Sequence, residues 1–366
     1  MSKCYFLCRV LSVQKRKCSI FLYVSGFDKA KQLLIKRELY EKHNIRVMSV
    51  IKGICSEGVN NKGKSIYIID EVESCVAAVE CDAYHECFTN KAHSYRLCRN
   101  DIINKVHDFL RSESFQMINS PFTLPYRGTS IASPLKIEGK FVNRYCKITH
   151  EFALKKAMAE NLQPVYEIGY VARDMYTTVS NWFEYSVLEF VSPTHNISFI
   201  STFIEEFIKI AVESAELFAL PHYDFSCLKI IELDEEFKYE GVDFEKLRQI
   251  EKNAIFINAP VNSPLVKKID GKRRETIWVF NGESMAHGYK DENNWEAIYD
   301  LSCKQMEELE KKGVEGEFSR DFLSLMKIGV PESISIGFGI DRFFQFFFGF
   351  ETMKAYRQFI SYNGAD

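Results

Sequence analysis

Three of the charged side chains in a largely apolar segment are of types that could hold a ligand. Residues 165–191 carry Arg173, Glu184 and Glu189 among valines, isoleucines and aromatic residues. Burying a charge there costs on the order of several kcal/mol unless the charge is paired or meets a ligand. One interpretation is a structural ion pair between Arg173 and one of the two glutamates. The other is a site floor on which Arg173 binds an anion and a carboxylate binds a cation.

The pattern of this segment predicts the element that positions the three charges. Residues 165–173 and 182–191 are rich in β-branched and aromatic side chains, and the polar stretch 174–180 separates them. Such a pattern is typical of an antiparallel hairpin. Residues 151–161 read as a helix that leads into it.

Composition and cysteine content narrow the class of protein. The chain has 366 residues, of which 46% are hydrophobic and 27% charged, as in ordinary globular proteins. It has no run of about 18 uncharged apolar residues and no secretory leader, so we expect no membrane partner and no secretion. The eleven cysteines, an odd number, favour free thiols in a reducing compartment, and we therefore expect a cytoplasmic protein.

Four of these cysteines cluster around a histidine, but their spacing does not favour a metal site. They are Cys75, Cys81, Cys87 and Cys98, with His85 between the second and third. A structural zinc site would need close pairs of ligands, with two to four residues between the members of a pair.

The first part of the chain is basic although the whole chain is not. Residues 1–73 hold fourteen lysines and arginines against seven acidic residues, while the chain has a net charge of −3. This asymmetry indicates a domain that meets a polyanion such as RNA. A solvated basic surface is the alternative.

Short strand-like segments in this basic part predict an OB-type β-barrel, which is a frequent nucleic-acid binder. The strands are expected at 4–13, 19–25, 32–36, 47–56 and 65–72, with a helix at 36–43. We therefore assign an N-terminal domain to residues 1–75. Residues 76–98 lack clear periodicity and are expected to be a linker.

Residues 99–366 alternate between helical and strand patterns and are expected to form the second domain. Besides those named above, helices are expected at 100–115, 201–218, 243–253, 295–312, 321–328 and 340–350. Further strands are expected at 254–257, 276–281 and 333–339.

Three segments, in this order, resemble the three motifs of class II aminoacyl-tRNA synthetases, and the lysine enzymes most closely. Residues 99–121 are similar to the dimer-forming first motif, residues 165–191 to the second, and the run GFGIDR at 337–342 to the third. Segments 254–260, 263–265 and 281–293 resemble further parts of the lysine enzymes, and the N-terminal barrel resembles their anticodon-binding domain.

The resemblance implies an α+β fold, in which an OB-fold barrel precedes a catalytic domain built on an antiparallel sheet flanked by helices. It implies an enzyme, a ligase that uses ATP and Mg²⁺ to activate lysine or a related amino acid and transfers it to tRNA. It also implies a homodimer.

The resemblance also implies roles for individual residues. Arg173 and Arg342 match the catalytic arginines of the second and third motifs, and Glu184 and Tyr185 fall with them in the ATP-binding part. Arg173 would bridge the amino-acid carboxylate and the α-phosphate, and Tyr185 would stack under adenine.

The amino-acid pocket is expected from five residues, which are Glu151, Glu189, His287, Tyr289 and Asp291. Asp291 matches the acid that reads the substrate ammonium, and its alternative is a solvated loop acid. On the barrel, Gln32 matches a base-reading glutamine. Phe21 lies beside the position of a stacking aromatic and is expected to bind nucleic acid.

Several positions depart from the family pattern. Met175 replaces a glutamate that reads adenine, and Ser180 or Asn181 replaces an arginine of the γ-phosphate. The two metal-binding glutamates fall on Ile277 and Ser284, with Glu283 adjacent as a weak substitute. Because each contact between a charged group and a phosphate is worth roughly 1.5–3 kcal/mol, these losses leave two alternatives open. The chain could use an acceptor other than tRNA, or it could be a catalytically impaired nucleic-acid-binding or regulatory homologue.

Overall fold

A computed structural model describes residues 3–17, 19–59, 65–77, 90–125, 132–234, 244–311 and 320–352. The described residues fall into two compact units, which divide between Cys98 and Arg99. Cys81, His85 and Cys87 of the predicted cysteine cluster lie outside the described residues. Among the helices that are described, none is long and apolar enough to cross a membrane.

The first unit contains the predicted five-stranded barrel, which is confirmed. Its elements are β1 (Lys3–Lys15), β2 (Ile20–Ser25), β3 (Gln32–Ile35), α1 (Arg37–Lys42), β4 (Val50–Val59) and β5 (Ser65–Val76). They close in the order β1-β2-β3-β5-β4. Alternate residues such as Phe6, Cys8 and Val10 point into the barrel core, as the period of a strand requires. Gly53 permits the close approach of β4 and β5, because a Cβ there would lie 2.0 Å from the carbonyl oxygen of Glu71.

The helix that follows the barrel is longer than its sequence pattern indicated. Helix α2 spans Asn90–Ser112, so it begins ten residues before the predicted start at Asn100 and includes part of the expected linker. Tyr95 and Cys98 are buried and continue the apolar stripe of Ile102 at helical spacing.

The second unit contains a nine-stranded sheet with helices around it, which confirms the predicted α+β class. Its elements are β6 (Gln116–Met117), β7 (Thr123–Leu124), β8 (Lys136–Glu138), β9 (Asn143–Cys146), α3 (Glu151–Asn161), β10 (Val165–Ala172), β11 (Glu184–Ser192), α4 (Phe199–Leu217), β12 (Lys229–Glu232), α5 (Phe244–Ile250), β13 (Ala254–Pro260), β14 (Lys268–Ile269), β15 (Lys272–Phe280), β16 (Glu283–Lys290), α6 (Trp295–Lys311), α7 (Arg320–Gly329), β17 (Ile334–Gly339) and α8 (Ile340–Phe347).

Eight strands of this sheet run in the order β12-β13-β15-β16-β17-β11-β10-β6, and β14 pairs with β15. The pairs are antiparallel except at the two edges, where β12 pairs with β13 and β6 with β10 in parallel. Strands β7, β9 and β8 form a separate small sheet. The predicted hairpin is the β10–β11 pair.

The register of the central strands fixes which side chains stand side by side. Gly337 of β17 pairs with Glu189 of β11 on one side and with His287 of β16 on the other. Ser335 pairs in the same way with Val191 and Tyr289. Paired residues of neighbouring strands share one face of a sheet, so these two rows form one surface.

Aromatic side chains dominate the packing of the sheet against α4 and α8. Phe338 lies 4.5 Å from Phe207 of α4, and Trp278 lies 5.6 Å from Phe343 of α8, as measured between ring centroids. These four rings are fully buried. Alternation along β17 therefore directs Phe338 into a rigid aromatic core and leaves Gly337 on the opposite face.

Candidate active site

A cavity of about 290 Å³ lies over the central strands of the second unit, and strand β11, the loop between β10 and β11, and helix α8 contribute to it. Its lining includes seven of the residues that the sequence predicted, which are Glu151, Arg173, Tyr185, Glu189, His287, Tyr289 and Arg342. The fold thus brings distant parts of the chain to one concave surface.

Arg173 lines the cavity directly after β10. Its guanidinium donates hydrogen bonds to the carbonyl oxygen of Ile148 at 3.1 and 3.3 Å, and it lies 5.5 Å from the ring centre of Tyr185. The described part of the chain has no ion pair between Arg173 and either Glu184 or Glu189. The arginine is therefore held by neutral groups, and its charge is available to an anion.

Arg342 also lines the cavity, at the start of α8. It donates to the carbonyl oxygens of Ser284 at 2.8 Å and Ser180 at 3.3 Å, and it also bonds the side chain of Asn181. Burial lowers its pKa from the ordinary value. These bonds tie the loop between β10 and β11 to strand β16, so Arg342 both orders this wall and adds a second positive charge to it.

Glu189 is a buried carboxylate of the cavity lining. Its carboxylate accepts hydrogen bonds from the hydroxyl of Thr149 at 2.7 and 2.9 Å and from the backbone N–H of His150 at 2.7 Å. Burial raises the pKa of Glu189 to about 7, against the lowering effect of the Thr149 hydrogen bond. Because helix α3 begins at the next residue, Glu151, the carboxylate also lies at the positive end of a helix dipole.

Glu151 is the second carboxylate that lines the cavity. Its Oε1 atom accepts a hydrogen bond from the hydroxyl of Tyr289 at 3.0 Å and pairs with the ammonium of Lys155 at 2.6 Å. Tyr289 itself is half-buried, and the burial of its hydroxyl group raises its pKa well above the ordinary value. The two carboxylates of the cavity therefore belong to a connected polar network and are not isolated acids.

Asp291 does not line the cavity, although the sequence predicted it as a substrate contact. It is 2% exposed, accepts hydrogen bonds from the hydroxyls of Ser333 and Ser335, and pairs with Lys155 at 3.0 Å. This environment also excludes the solvated loop acid that was the alternative. Asp291 is buried outside the cavity lining, and side chains of the protein occupy both of its carboxylate oxygens.

His287 lies on the cavity surface, in the same row as Gly337 and Glu189. Its Nδ1 atom is 3.1 Å from Oε2 of Glu275, and Glu275 is buried. This contact orients the imidazole ring at the cavity surface.

Glu184 and Glu283 are the other predicted residues that the structure does not bring to the cavity lining. Glu184 begins β11 beside Tyr185, which does line the cavity. Glu283 begins β16 and pairs with Arg248 at 3.2 Å, and its neighbour Ser284 lines the cavity instead. Successive residues of a strand point to opposite faces, which explains why Tyr185 and Ser284 line the cavity while Glu184 and Glu283 do not.

The residues present do not fit a divalent cation held by the protein. The first expected metal position is Ile277, which is fully buried, and the second is the neutral Ser284. Among the described residues, no three of His, Cys, Asp and Glu are grouped so that they could hold a metal ion. Octahedral Mg²⁺ prefers carboxylate and phosphate oxygens, which this wall of the cavity lacks.

Three functional residues were missed by sequence reasoning. Thr149 and Lys155 bind the two cavity carboxylates, and Gly337 leaves an open space between Glu189 and His287, since a Cβ there would meet only Glu189, at 4.0 Å. The spacing of four residues between Glu151 and Lys155 on a predicted helix was a signal for the pair. Nothing in the sequence pattern identified Thr149, and Gly337 was predicted only as part of the segment similar to the third motif, without a role in the cavity.

The two residues predicted to bind nucleic acid lie on the outer surface of the barrel, in the first unit. Phe21 pairs across the strands with Leu34, and Gln32 pairs with the exposed Tyr23. The guanidinium of Arg16 lies 5.1 Å from the ring centre of Phe21. Aromatic rings next to a cation are the usual components of a single-stranded nucleic-acid surface, and Tyr23 was not among the predictions.

Comparison with known proteins gives a family match over most of the chain. Residues 82–361 match the family described as tRNA synthetases class II (D, K and N). Among curated relatives, the lysine–tRNA ligase of Sulfolobus acidocaldarius is 24% identical over 299 residues, which cover 67% of this chain and 59% of the relative. The lysine–tRNA ligase of Clostridium perfringens is 22% identical over 309 residues, which cover 68% and 60%. The chain thus spans about 60% of the length of the curated relatives it matches.

A solved structure has the same fold over nearly the whole chain. It is the asparaginyl-tRNA synthetase from Pyrococcus horikoshii in complex with asparaginyl-adenylate. The TM-score is 0.76 at 14% identity, and the match covers 98% of this chain and 94% of the other. At this identity the likeness establishes the fold alone.

Proposed function

The chain belongs to the class II tRNA synthetases of the D, K and N type, and we propose that it activates an amino acid with ATP and transfers it to tRNA. One observation carries the proposal. Arg173 and Arg342 line the same cavity as the carboxylates Glu151 and Glu189. Adenylate formation needs such an arrangement, because it joins a zwitterionic amino acid to a polyanionic nucleotide.

The proposed reaction has two steps. A carboxylate oxygen of the amino acid attacks the α-phosphorus of ATP, and the bond to pyrophosphate breaks. A ribose hydroxyl of tRNA then attacks the acyl carbon, and AMP leaves. Arg173 would stabilise the negative charge that develops on the α-phosphate, since its hydrogen bonds to Ile148 preorganise it without neutralising it. Tyr185 would stack under adenine.

Lysine, or a related diamino acid, is the substrate that the two carboxylates of the cavity support best. Lysine carries two ammonium groups and one carboxylate. Glu151 and Glu189 supply two carboxylates to the cavity, and Arg173 supplies the cation for the third group. The curated relatives named above are lysine–tRNA ligases, which supports the same choice.

The barrel would bind the tRNA, through Phe21 and Gln32 on its basic outer surface. We further infer a cytoplasmic homodimer, in which the segment 99–121 contributes the dimer interface as the first motif of the family does. Mg²⁺ would enter with the ATP phosphates rather than in a site held by Glu283.

A second candidate function rests on a different observation. Glu283 is neutralised by Arg248, and Ile277 and Ser284 stand where metal carboxylates are expected. Weakened handling of ATP and Mg²⁺ favours a homologue that binds nucleic acid or regulates without activating an amino acid. Between these two functions stands a synthetase paralogue that activates an amino acid but transfers it to an acceptor other than tRNA.

Exchange of pyrophosphate into ATP by the purified full-length chain, measured with each amino acid in turn, separates these functions. We expect exchange with lysine or a related diamino acid, and we expect the R173A variant to lose about 100-fold or more of it. Charging of total tRNA in the same preparation then tests the acceptor. Exchange with no amino acid, together with salt-sensitive RNA binding, would reject activation and favour the second function.

A further inference from the structure

We propose that Lys155 and Asp291 are positioning residues that hold the carboxylate of Glu151 charged and oriented toward one ammonium group of the amino acid. The inference rests on the proposed function and identifies how its cavity selects a cationic group. It assigns no direct substrate contact to either residue.

Lys155 lies at the centre of a buried triad of charges. Its Nζ atom is 2.6 Å from Oε1 of Glu151 and 3.0 Å from Oδ1 of Asp291, and the side chain is 0% exposed. The ring of Phe322, centred 5.8 Å from Nζ, packs beside it. Burial alone would lower the pKa of Lys155, but the charges of Asp291 and Glu151 outweigh burial and raise it above the ordinary value. The ammonium is therefore a permanent charge of the folded chain.

The two carboxylates of the triad are not equivalent. Asp291 is satisfied on both oxygens, because the hydroxyl of Ser333 donates to Oδ2 at 2.6 Å and that of Ser335 donates to both oxygens. Glu151 is 13% exposed as a side chain and lines the cavity. Lys155 is not among the residues that line it.

This asymmetry determines where the unbalanced charge of the triad lies. One ammonium and two carboxylates leave one negative charge, and the carboxylate with remaining access to a ligand is that of Glu151. A buried net charge is costly, so binding of a cationic group at Glu151 relieves it. The chemistry that fits is a primary ammonium, which donates the hydrogen bonds that a carboxylate accepts.

The position on helix α3 explains the geometry. Glu151 and Lys155 are four residues apart and therefore lie on one face of the helix. Tyr289, which also donates to Glu151 Oε1, comes from β16, two residues before Asp291. Two contacts that leave the helix thus hold α3 in place, because Tyr289 bonds Glu151 and Asp291 pairs with Lys155.

The test uses the full-length chain and compares K155M with the neighbouring control K156M, since Lys156 is exposed. Pyrophosphate exchange with lysine is measured from pH 6 to pH 9. For K155M we expect the KM for the amino acid to rise by about tenfold or more, with a smaller change in kcat. Activity should also shift to a different pH range, because two uncompensated carboxylates take up a proton that the triad does not.

A second variant keeps the proposal falsifiable if K155M fails to fold. K155M/D291N removes one buried charge of each sign, so its net charge equals that of the wild type and its folding penalty is smaller. Glu151 then keeps its charge but loses the ion pair with Lys155 that orients it. We therefore expect a raised KM for the amino acid with the pH profile of the wild type.

Two results would overturn the inference. One is an unchanged KM and pH profile in folded K155M. The other is an unchanged KM in the double variant. A wild-type chain that binds no amino acid in calorimetry and exchanges with none would instead reject the proposed function itself. A wild-type chain that is active while Lys155 variants behave as the K156M control would reject only the role of Lys155.

Discussion

Glu283 pairs with Arg248 at 3.2 Å, outside the cavity that its neighbour Ser284 lines. The pair explains why the carboxylate closest in sequence to a metal-binding position is unsuited to metal binding. Its strand, β16, directs it to the other face, and the guanidinium there already balances its charge. A shift of one residue along a strand thus separates the predicted ligand from the site.

The first prediction concerns this pair. We expect E283Q to leave both pyrophosphate exchange and its dependence on Mg²⁺ unchanged within about twofold, since Glu283 contacts a partly exposed arginine and such pairs contribute little. Titration of Mg²⁺ at fixed ATP measures this. R248Q is the matched control, because it breaks the same pair from the other side. A Mg²⁺ requirement that rises tenfold in E283Q but not in R248Q would identify Glu283 as a metal ligand.

The second prediction concerns pH and rests on two buried groups that act in opposite directions. Burial raises the pKa of Glu189 from 4.5 to about 7, so the folded state holds its proton where the unfolded state has lost it. Glu189 therefore makes the free energy of unfolding fall as pH rises from about 4.5 to 7. Burial lowers the pKa of His150 from 6.5 to about 4, which makes the free energy of unfolding fall as pH drops through that range.

Replacement of Glu189 should reveal the contribution of His150 to the pH dependence of the free energy of unfolding. We expect E189Q to be more stable than the wild type at pH 8 by roughly 1–3 kcal/mol, and nearly equal at pH 4.5. Its free energy of unfolding should rise between pH 4.5 and 6.5, where the wild type is nearly flat. Urea unfolding at several pH values measures this. The same pH dependence in E189Q and the wild type would contradict the assignment.

The third prediction concerns the space above Gly337. A side chain at this position would enter the gap between Glu189 and His287, because the backbone pairs it with both. We expect G337V to raise the KM for the amino acid by about tenfold or more. Its cost in stability should stay below about 1 kcal/mol, since valine suits a strand and no backbone atom lies within 4 Å of the new Cβ.

Kinetics and thermal unfolding of the same preparation separate the two effects. G169A is a useful comparison, because its Cβ would meet the ring of His150 at 3.3 Å and should lower stability more than it changes KM. If G337V bound the amino acid as the wild type does, the substrate would have to lie elsewhere in the cavity.

The sequence predicted the elements whose periodicity is local. The barrel strands alternate buried and exposed residues, and the hairpin strands are runs of β-branched and aromatic residues, which β11 buries almost throughout. Helix α3 was predicted with its observed bounds, Glu151–Asn161. The start of α2 was missed because Asn100 and Asp101 resemble a helix cap, while the apolar stripe continues upstream through Tyr95. A capping signal is local, whereas the burial of Tyr95 depends on tertiary contacts.

The same distinction between local and tertiary signals explains which residues of the candidate site were predicted correctly. Arg173 and Glu189 were identifiable because a charge inside a strand pattern demands a partner. Asp291 was assigned to the substrate because the sequence does not reveal that Lys155, 136 residues earlier in the numbering of the chain, reaches it. Ion pairs between distant residues follow from the fold and not from spacing.

The last prediction concerns the barrel surface. Phe21, Tyr23 and Gln32 lie on the outer side of β2 and β3, since their neighbours Leu22 and Leu33 point into the core. If single-stranded RNA stacks there, F21A and Y23A should each weaken binding by about 1–3 kcal/mol. Both changes should leave the salt dependence of binding nearly unchanged, because they remove no charge. R16A should instead reduce the slope of log affinity against log salt by about 1.

Fluorescence anisotropy of the full-length chain with a labelled RNA, repeated at several salt concentrations, measures both quantities. F141A is the matched control, because Phe141 is 88% exposed in the second unit and takes no part in the barrel surface. Equal losses in F21A and F141A would indicate non-specific stacking. No loss in F21A or Y23A, with a normal salt slope, would mean that RNA binds the basic surface through its phosphates alone, and the predicted role of Phe21 would then be rejected.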